Sequence, residues 1–195
     1  MANKESSLLK MFLALFLIAV FAAVGLAAVY NVTKDPIEIS KNKKKSDAIQ
    51  SVLPGFKGEL KDQELTLEGD KKPVTVHCAY TDGQLMGAAV ETYTEKAFSG
   101  RFDIMVGLDT NGNILGTAVL THSETPGLGA KITDKESHFI QQFVGMNPHE
   151  NPLKVKKDGG EVDAITAATI SSRAYCDAIE RASRAFNQVK EEEHE

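Results

Sequence analysis

The sequence predicts an α+β fold, an antiparallel sheet with packed helices, carried behind one N-terminal transmembrane helix. Three observations predict it. Met11 to Val29 is an uninterrupted apolar run. Two pairs of alternating segments follow, and each pair is closed by a turn sequence. The chain then runs out on a stripe of Ala174, Tyr175, Ala178, Ile179, Ala182, Ala185, Phe186 and Val189, spaced three and four apart as on one helix face. Strands first and helices afterwards is the order of an α+β domain.

The apolar run comes first. About 20 such residues cross a bilayer core as a helix. A secretory signal is the competing reading, since Lys4 and Lys10 form a basic flank. The apolar stretch of a signal is typically about 7–15 residues, and this one is longer, so it reads as an uncleaved anchor. Tyr30 sits where an interfacial aromatic belongs. From Pro36 to Leu53 the chain is polar and Lys-rich, with Ile37, Ala48, Ile49, Val52 and Leu53 as apolar points. This reads as a separate juxtamembrane helix, stopped by Pro54-Gly55. Lys41 to Lys45 read as a solvated face, with contact to anionic lipid as the alternative.

Val74 to Tyr80 alternates, turns at Thr81-Asp-Gly83 and returns from Gln84 to Thr92 as a hairpin. Phe102 to Leu108 and Ile114 to Leu120 flank an Asn-Gly turn and form a second hairpin. Four strands in this order predict an antiparallel meander. Ser137 to Val144 is a short helix carrying Phe139, Ile140 and Phe143, and Gly159-Gly160 marks a turn. The final helix is expected from about Ser171 to Lys190.

Composition narrows the function. The chain has 195 residues, 42% hydrophobic and 25% charged, which suits one globular domain plus an extra segment. A net charge of -5 argues against a nucleic-acid partner, because phosphate backbones need a basic surface. Cys78 and Cys176 lie far apart, without a CxxC or a histidine at ligand spacing, so they form no metal signature. They read as two small buried hydrophobes, with a disulfide as the alternative. Neither Ser123 nor Ser171 lies in a GxSxG elbow, and no HExxH helix is present, which argues against a hydrolase built around His122. There is no dinucleotide fingerprint and no iron–sulfur cysteine cluster.

Two stretches remain that carry chemistry. Asp163 to Arg173 sets Thr166, Thr169, Ser171 and Ser172 among small residues, immediately before the final helical stripe. That placement reads as a helix N-terminus with Ser171 or Ser172 as N-cap. Helix N-termini bind phosphate, Arg173 adds a fixed charge, and Ala167 and Ala168 let a bulky ligand approach. On these residues alone a well-capped surface helix is the plainer reading. The second stretch, His122-Ser-Glu-Thr-Pro-Gly-Leu-Gly129, directly follows a predicted strand. Pro126-Gly127 fixes a turn and Gly129 admits a close backbone approach.

Asp163-x-x-Thr-Ala-Ala-Thr-x-Ser-Ser172 resembles the flavinylation motif of the FMN-binding domain family, written with Ser/Thr-Gly-Ala-Thr at its centre. His122 to Gly129 resembles a second stretch of that family. The order and spacing of the two, with one N-terminal membrane segment, are similar to the G subunits of Rnf-type ion-translocating electron-transport complexes. The resemblance implies the division of the chain: residues 1–10 cytoplasmic, 11–30 transmembrane, 31–55 juxtamembrane, 56–190 FMN-binding domain and 191–195 acidic tail. It implies covalent FMN on Thr169 through a phosphoester, attached by a flavin transferase with FAD as donor. Thr166, Ala168, Ser171 and Ser172 then belong to the cofactor site, and so do Glu124, Thr125, Gly127, Leu128 and Gly129. In that site Ser171 and Ser172 are expected to hold the phosphate and Thr166 to steady the turn.

The same resemblance implies a relay of electrons inside a membrane complex that couples ferredoxin and NAD to cation transport. The partners it implies are the other subunits and membrane lipid. The chain would not be catalytic alone. It further implies an FMN domain on the extracytoplasmic side of the inner membrane. A simple count of Lys34, Lys41, Lys43, Lys44 and Lys45 would place the domain in the cytoplasm, but such counts fail beside long domains. The alternatives are a C-type subunit of the sodium-translocating quinone reductase, usually a longer chain, and an anchored extracytoplasmic binding module without cofactor. One departure stands out: the family has Gly where this chain has Ala167. An alanine there is expected to keep an ordinary negative φ, with the family's glycine serving only to give the flavin room.

Overall fold

A computed structural model describes residues 8–70, 72–134 and 136–194. The basic flank at Lys4 and the last residue of the acidic tail lie outside the described residues. The chain divides into two compact units, one ending at Lys44 and one beginning at Lys45.

The first unit is the greater part of helix α1, Leu8–Val52, a single helix of 45 residues. Its apolar half is long and apolar enough to cross a membrane, and none of it is buried against protein. The separate juxtamembrane helix expected from Pro36 is not seen, because α1 runs straight through that residue. A proline ring removes one hydrogen bond, here the one to the Val32 carbonyl. No glycine flanks Pro36, and the helix continues through it to Val52 with that one bond missing. It stops at Val52, before Pro54 and the left-handed Gly55 (φ 80°).

The second unit is built on a five-stranded antiparallel meander in sequence order. The strands are β1 Glu59–Leu65, β2 Val74–Thr81, β3 Gln84–Ala97, β4 Gly100–Asp109 and β5 Ile114–Thr121. The two predicted hairpins are β2–β3 and β4–β5. Strand β1 was not predicted, because Glu-Leu-Lys-Asp-Gln-Glu-Leu carries one buried residue and otherwise faces water. Charged residues on an edge strand also discourage pairing with another chain. β3 and β4 run further than predicted and meet at a tip formed by Phe98 and Ser99, ahead of the left-handed Gly100 (φ 93°).

Alternation sends the two faces of this sheet to two cores. Val74, Val76, Ala88, Val90, Phe102, Ile104, Val106 and Leu108 face helix α3, Thr169–His194. The predicted stripe of α3, from Ala174 to Val189, is fully buried against them. Phe139 and Phe143, in and just after the short helix α2 (His138–Gln141), close this core around the Tyr175 ring at 5.2 and 5.3 Å. Tyr175 donates its hydroxyl to Thr117 Oγ1 at 2.7 Å. The opposite face, with Ala79, Ala89, Met105, Ala118 and Leu120, is covered by Ala48, Val52 and Leu53. Gly107 makes that contact possible, since a Cβ there would lie 2.0 Å from the Val52 carbonyl oxygen. Helical residues therefore pack on both faces of the sheet. Cys78 and Cys176 are both buried on the α3 side and form no disulfide.

Candidate functional site

The candidate site lies where the N-terminal end of α3 meets two loops. The first loop follows β5. Thr125-Pro-Gly-Leu128 is a turn in which Leu128 donates its N–H to the Thr125 carbonyl at 3.2 Å, and Gly127 is left-handed (φ 76°). Proline second and glycine third is the type II signature, as the sequence indicated. The turn leaves Leu128 43% exposed and brings Gly129 into the interior.

The second loop enters α3. Gln142 pins its start, donating to the Asp163 carbonyl at 3.0 Å and accepting from the Asp163 N–H at 2.7 Å. Ala168 then donates its N–H to the Ile165 carbonyl at 3.0 Å, closing a turn over Thr166 and Ala167. Ala167 sits at φ 61°. This overturns the expectation of an ordinary φ. The third residue of such a turn needs the left-handed region, which glycine enters freely and alanine at a cost of about 1–2 kcal/mol. The family's glycine therefore serves the backbone, and this chain carries the strain of a Cβ.

Helix α3 begins at Thr169, two residues before the expected start. Ser171 and Ser172 are consequently not caps; they lie inside the first turn and face inward, 1% and 0% exposed. Ser172 Oγ accepts from the Ile165 N–H and donates to the Ala168 carbonyl, both at 3.0 Å, which locks the turn carrying Ala167. Ser171 Oγ donates to Glu124 Oε2 at 2.5 Å. Thr166 and Ala167 are exposed, Ala168 is buried, and Thr169 is half-buried. Arg173 points away from this cleft and grips Asp158 through two bonds of 2.7 Å. That pairing holds the Asp158 carboxyl below its ordinary value. Lys156 does the same for Asp163.

The two loops face each other across a cleft of about 310 Å³, lined by Phe98, Glu124, Thr125, Leu128, Gly129 and the stretch from Ala167 to Ser171. That is the lower end of the range for small-molecule sites, which are mostly apolar with a few placed polar groups. Its rim is apolar and exposed: Phe98, Leu128 and Ile170. Its polar side chains are Thr125 and Thr169, with the buried Glu124 and Ser171 behind them. Three clefts of similar size lie elsewhere, of about 360, 320 and 330 Å³. The first is crossed by the Lys96–Asp177 and Arg173–Asp158 pairs, and none of the three joins the two loops. The cleft between the loops is therefore the candidate site.

Two residues of the site could not be read from the sequence. Phe98 reaches the rim only because β3 and β4 extend to a tight tip, and the signal was the Phe-Ser-Gly that ends the alternation of β3. Lys157 Nζ lies 3.4 Å from Thr169 Oγ1. Nothing in the sequence marked it among the lysines around it. The hydrolase arrangement is not assembled, since the partner of Ser171 is a carboxylate and His122 Nδ1 accepts from the Glu124 N–H at 3.1 Å.

The model of the FMN-binding domain family matches residues 98–184, a span that begins at Phe98 and includes both loops and the start of α3. Over nearly its whole length the chain is similar to proteins named as the G subunit of an ion-translocating oxidoreductase complex. That of Vibrio vulnificus is 35% identical over 187 residues, 90% of this chain and 89% of the relative. That of Aliivibrio fischeri is 35% identical, over 97% of this chain and 92% of the relative. That of Shewanella baltica is 32% identical, over 88% and 87%.

Proposed function

The chain belongs to the family of G subunits of ion-translocating oxidoreductase complexes, and from that premise we propose that it carries FMN covalently on Thr169. It is a membrane-anchored, FMN-binding electron-transfer subunit. The observation that carries the covalent reading is the meeting of the two loops: the Thr169 hydroxyl stands at the edge of the cleft, with an ammonium group 3.4 Å away. The residues fit the group. A flat aromatic ring system suits the apolar rim of Phe98, Leu128 and Ile170, and a phosphate suits Lys157. Ser171 and Ser172 support this from below by fixing the turn and the helix start, rather than by holding phosphate.

Attachment requires Thr169 Oγ1 to form a bond to the flavin-side phosphorus of FAD. The phosphoanhydride bond breaks, AMP leaves with its electron pair, and the hydroxyl proton passes to a base of the flavin transferase. Lys157 is placed to balance the charge of the resulting phosphodiester. The phosphate link prevents loss of the cofactor into the surrounding fluid, which fits a domain on the extracytoplasmic side. Bound FMN supplies exchange of one or two electrons. The chain's own residues place the ring at an exposed rim, where the other subunits of the membrane complex can approach it.

The test is co-production of the full chain with a flavin transferase, followed by a denaturing gel under ultraviolet light. Wild type is expected to fluoresce and Thr169→Ala to be dark while still folded. Fluorescence surviving in Thr169→Ala would refute the assignment.

A further inference from the structure

Glu124 is a carboxylate in the interior of the second unit. It is 5% exposed, and among the described residues no cation pairs with it. Its Oε1 accepts the Ser99 N–H at 2.9 Å and its Oε2 accepts the Ser171 hydroxyl at 2.5 Å. Burying a carboxylate on two neutral donors is unfavourable relative to leaving it in water. The chain also gives up a side chain to admit it. A Cβ on Gly129 would lie 2.2 Å from Oε2 and 2.8 Å from Ser171 Oγ. An apolar residue would fill this place more stably, so the carboxylate points to a purpose other than stability.

Its connections state the purpose. Ser99 belongs to the β3–β4 tip, next to Phe98. Ser171 belongs to the first turn of α3, two residues from Thr169. Glu124 itself belongs to the loop of Leu128 and Gly129. One carboxylate thus ties together the three walls of the cleft, and it lies in the floor of that cleft. We propose that Glu124 is the positioning residue of the flavin site, holding its three walls in register and setting the reduction potential of the bound ring through its buried negative charge. A fixed anion beside a ring that gains electrons opposes the gain. This rests on the cleft being the flavin site.

The test uses the full chain, flavinylated in cells, as wild type, Glu124→Gln and Ser171→Ala. Flavin per chain is counted after denaturation. The midpoint potential is then measured against a dye of known potential, the dye supplying the two electrons and the buffer the accompanying protons. Glu124→Gln keeps the shape and one donor–acceptor pair but removes the charge. It is expected to carry flavin and to raise the ratio of reduced to oxidised flavin, at fixed solution potential, by at least about tenfold. Ser171→Ala keeps the charge and removes a donor that spreads it, and the ratio is expected to fall. A purely structural role would leave both potentials at the wild-type value, and that result overturns the proposal. If Glu124→Gln does not fold, Ser171→Ala decides alone: a lowered ratio supports the proposal and an unchanged one overturns it. A wild type without flavin would instead refute the functional reading, before Glu124 is reached.

Discussion

Replacing Ala167 with glycine should stabilise the protein, against the usual expectation for a substitution to glycine. Ala167 sits at φ 61° in the turn closed by Ala168 N–H and the Ile165 carbonyl. Releasing an L-residue from the left-handed region recovers about 1–2 kcal/mol. Glycine returns about 0.4–1 kcal/mol of this through the greater freedom of the unfolded chain. Taking the middle of each range, the net is about 0.8 kcal/mol in favour of Ala167→Gly. For a unit of this size about 1 kcal/mol moves the melting point by roughly 2–4 °C, so a rise of about 1–4 °C is expected. The assay is thermal unfolding of the detergent-solubilised full chain without flavin, followed by near-ultraviolet circular dichroism. Ala167→Val, with a branched Cβ in the same region, should melt lower than wild type. A melting point unchanged or lowered in Ala167→Gly would show that the turn is not strained, and the explanation of the family's glycine would fall with it.

Tyr175→Phe keeps the ring against Phe102, Phe139 and Phe143 but leaves Thr117 without its 2.7 Å partner. A loss of about 1–2 kcal/mol in denaturant unfolding is expected, and no loss would mean the hydroxyl pair is dispensable. Burial pushes the Cys176 thiol up to about 12, so the folded protein should resist iodoacetamide at this residue in mildly alkaline buffer and react only once unfolded. Native-state alkylation of Cys176, read by peptide mass, would contradict its burial. Asp163 is held below its ordinary 3.8, first by its hydrogen bond to Lys156. A depressed carboxyl contributes stability above its unfolded value and loses it as pH falls through the folded one. Asp163→Asn should therefore lose less stability than wild type on acidification below about pH 4, and parallel curves would exclude the contribution.

Much of this was legible in the sequence, for physical reasons that differ by element. The hairpins were readable because β2 to β5 are rich in β-branched and apolar residues and their turns hold Asp82-Gly83 and Asn111-Gly112. The stripe of α3 was readable because one of its faces is wholly buried. β1 was not, since an edge strand with a single buried residue has the composition of a loop. The continuity of α1 was hidden by Pro36, whose ring removes one backbone hydrogen bond without ending the helix here. In the site, the Pro126-Gly127 turn could be derived from its residues. The start of α3 could not: several hydroxyl residues there satisfy the capping pattern equally well, and only the inward bonds of Ser171 and Ser172 exclude them. Glu124 and Thr169 were reached through the resemblance. Phe98 and Lys157 required the fold, because one reaches the cleft rim and the other the Thr169 hydroxyl from positions 71 and 12 residues away from Thr169 along the chain.

The central claim concerns one oxygen atom, and peptide mapping addresses it directly. The full chain is flavinylated in cells, digested and read by tandem mass spectrometry. The peptide spanning Thr169 is expected to carry the mass of FMN less water, with fragment ions that place the addition on Thr169 and leave Thr166, Ser171 and Ser172 unmodified. An unmodified Thr169 in a chain that carries covalent flavin at another residue would contradict the claim.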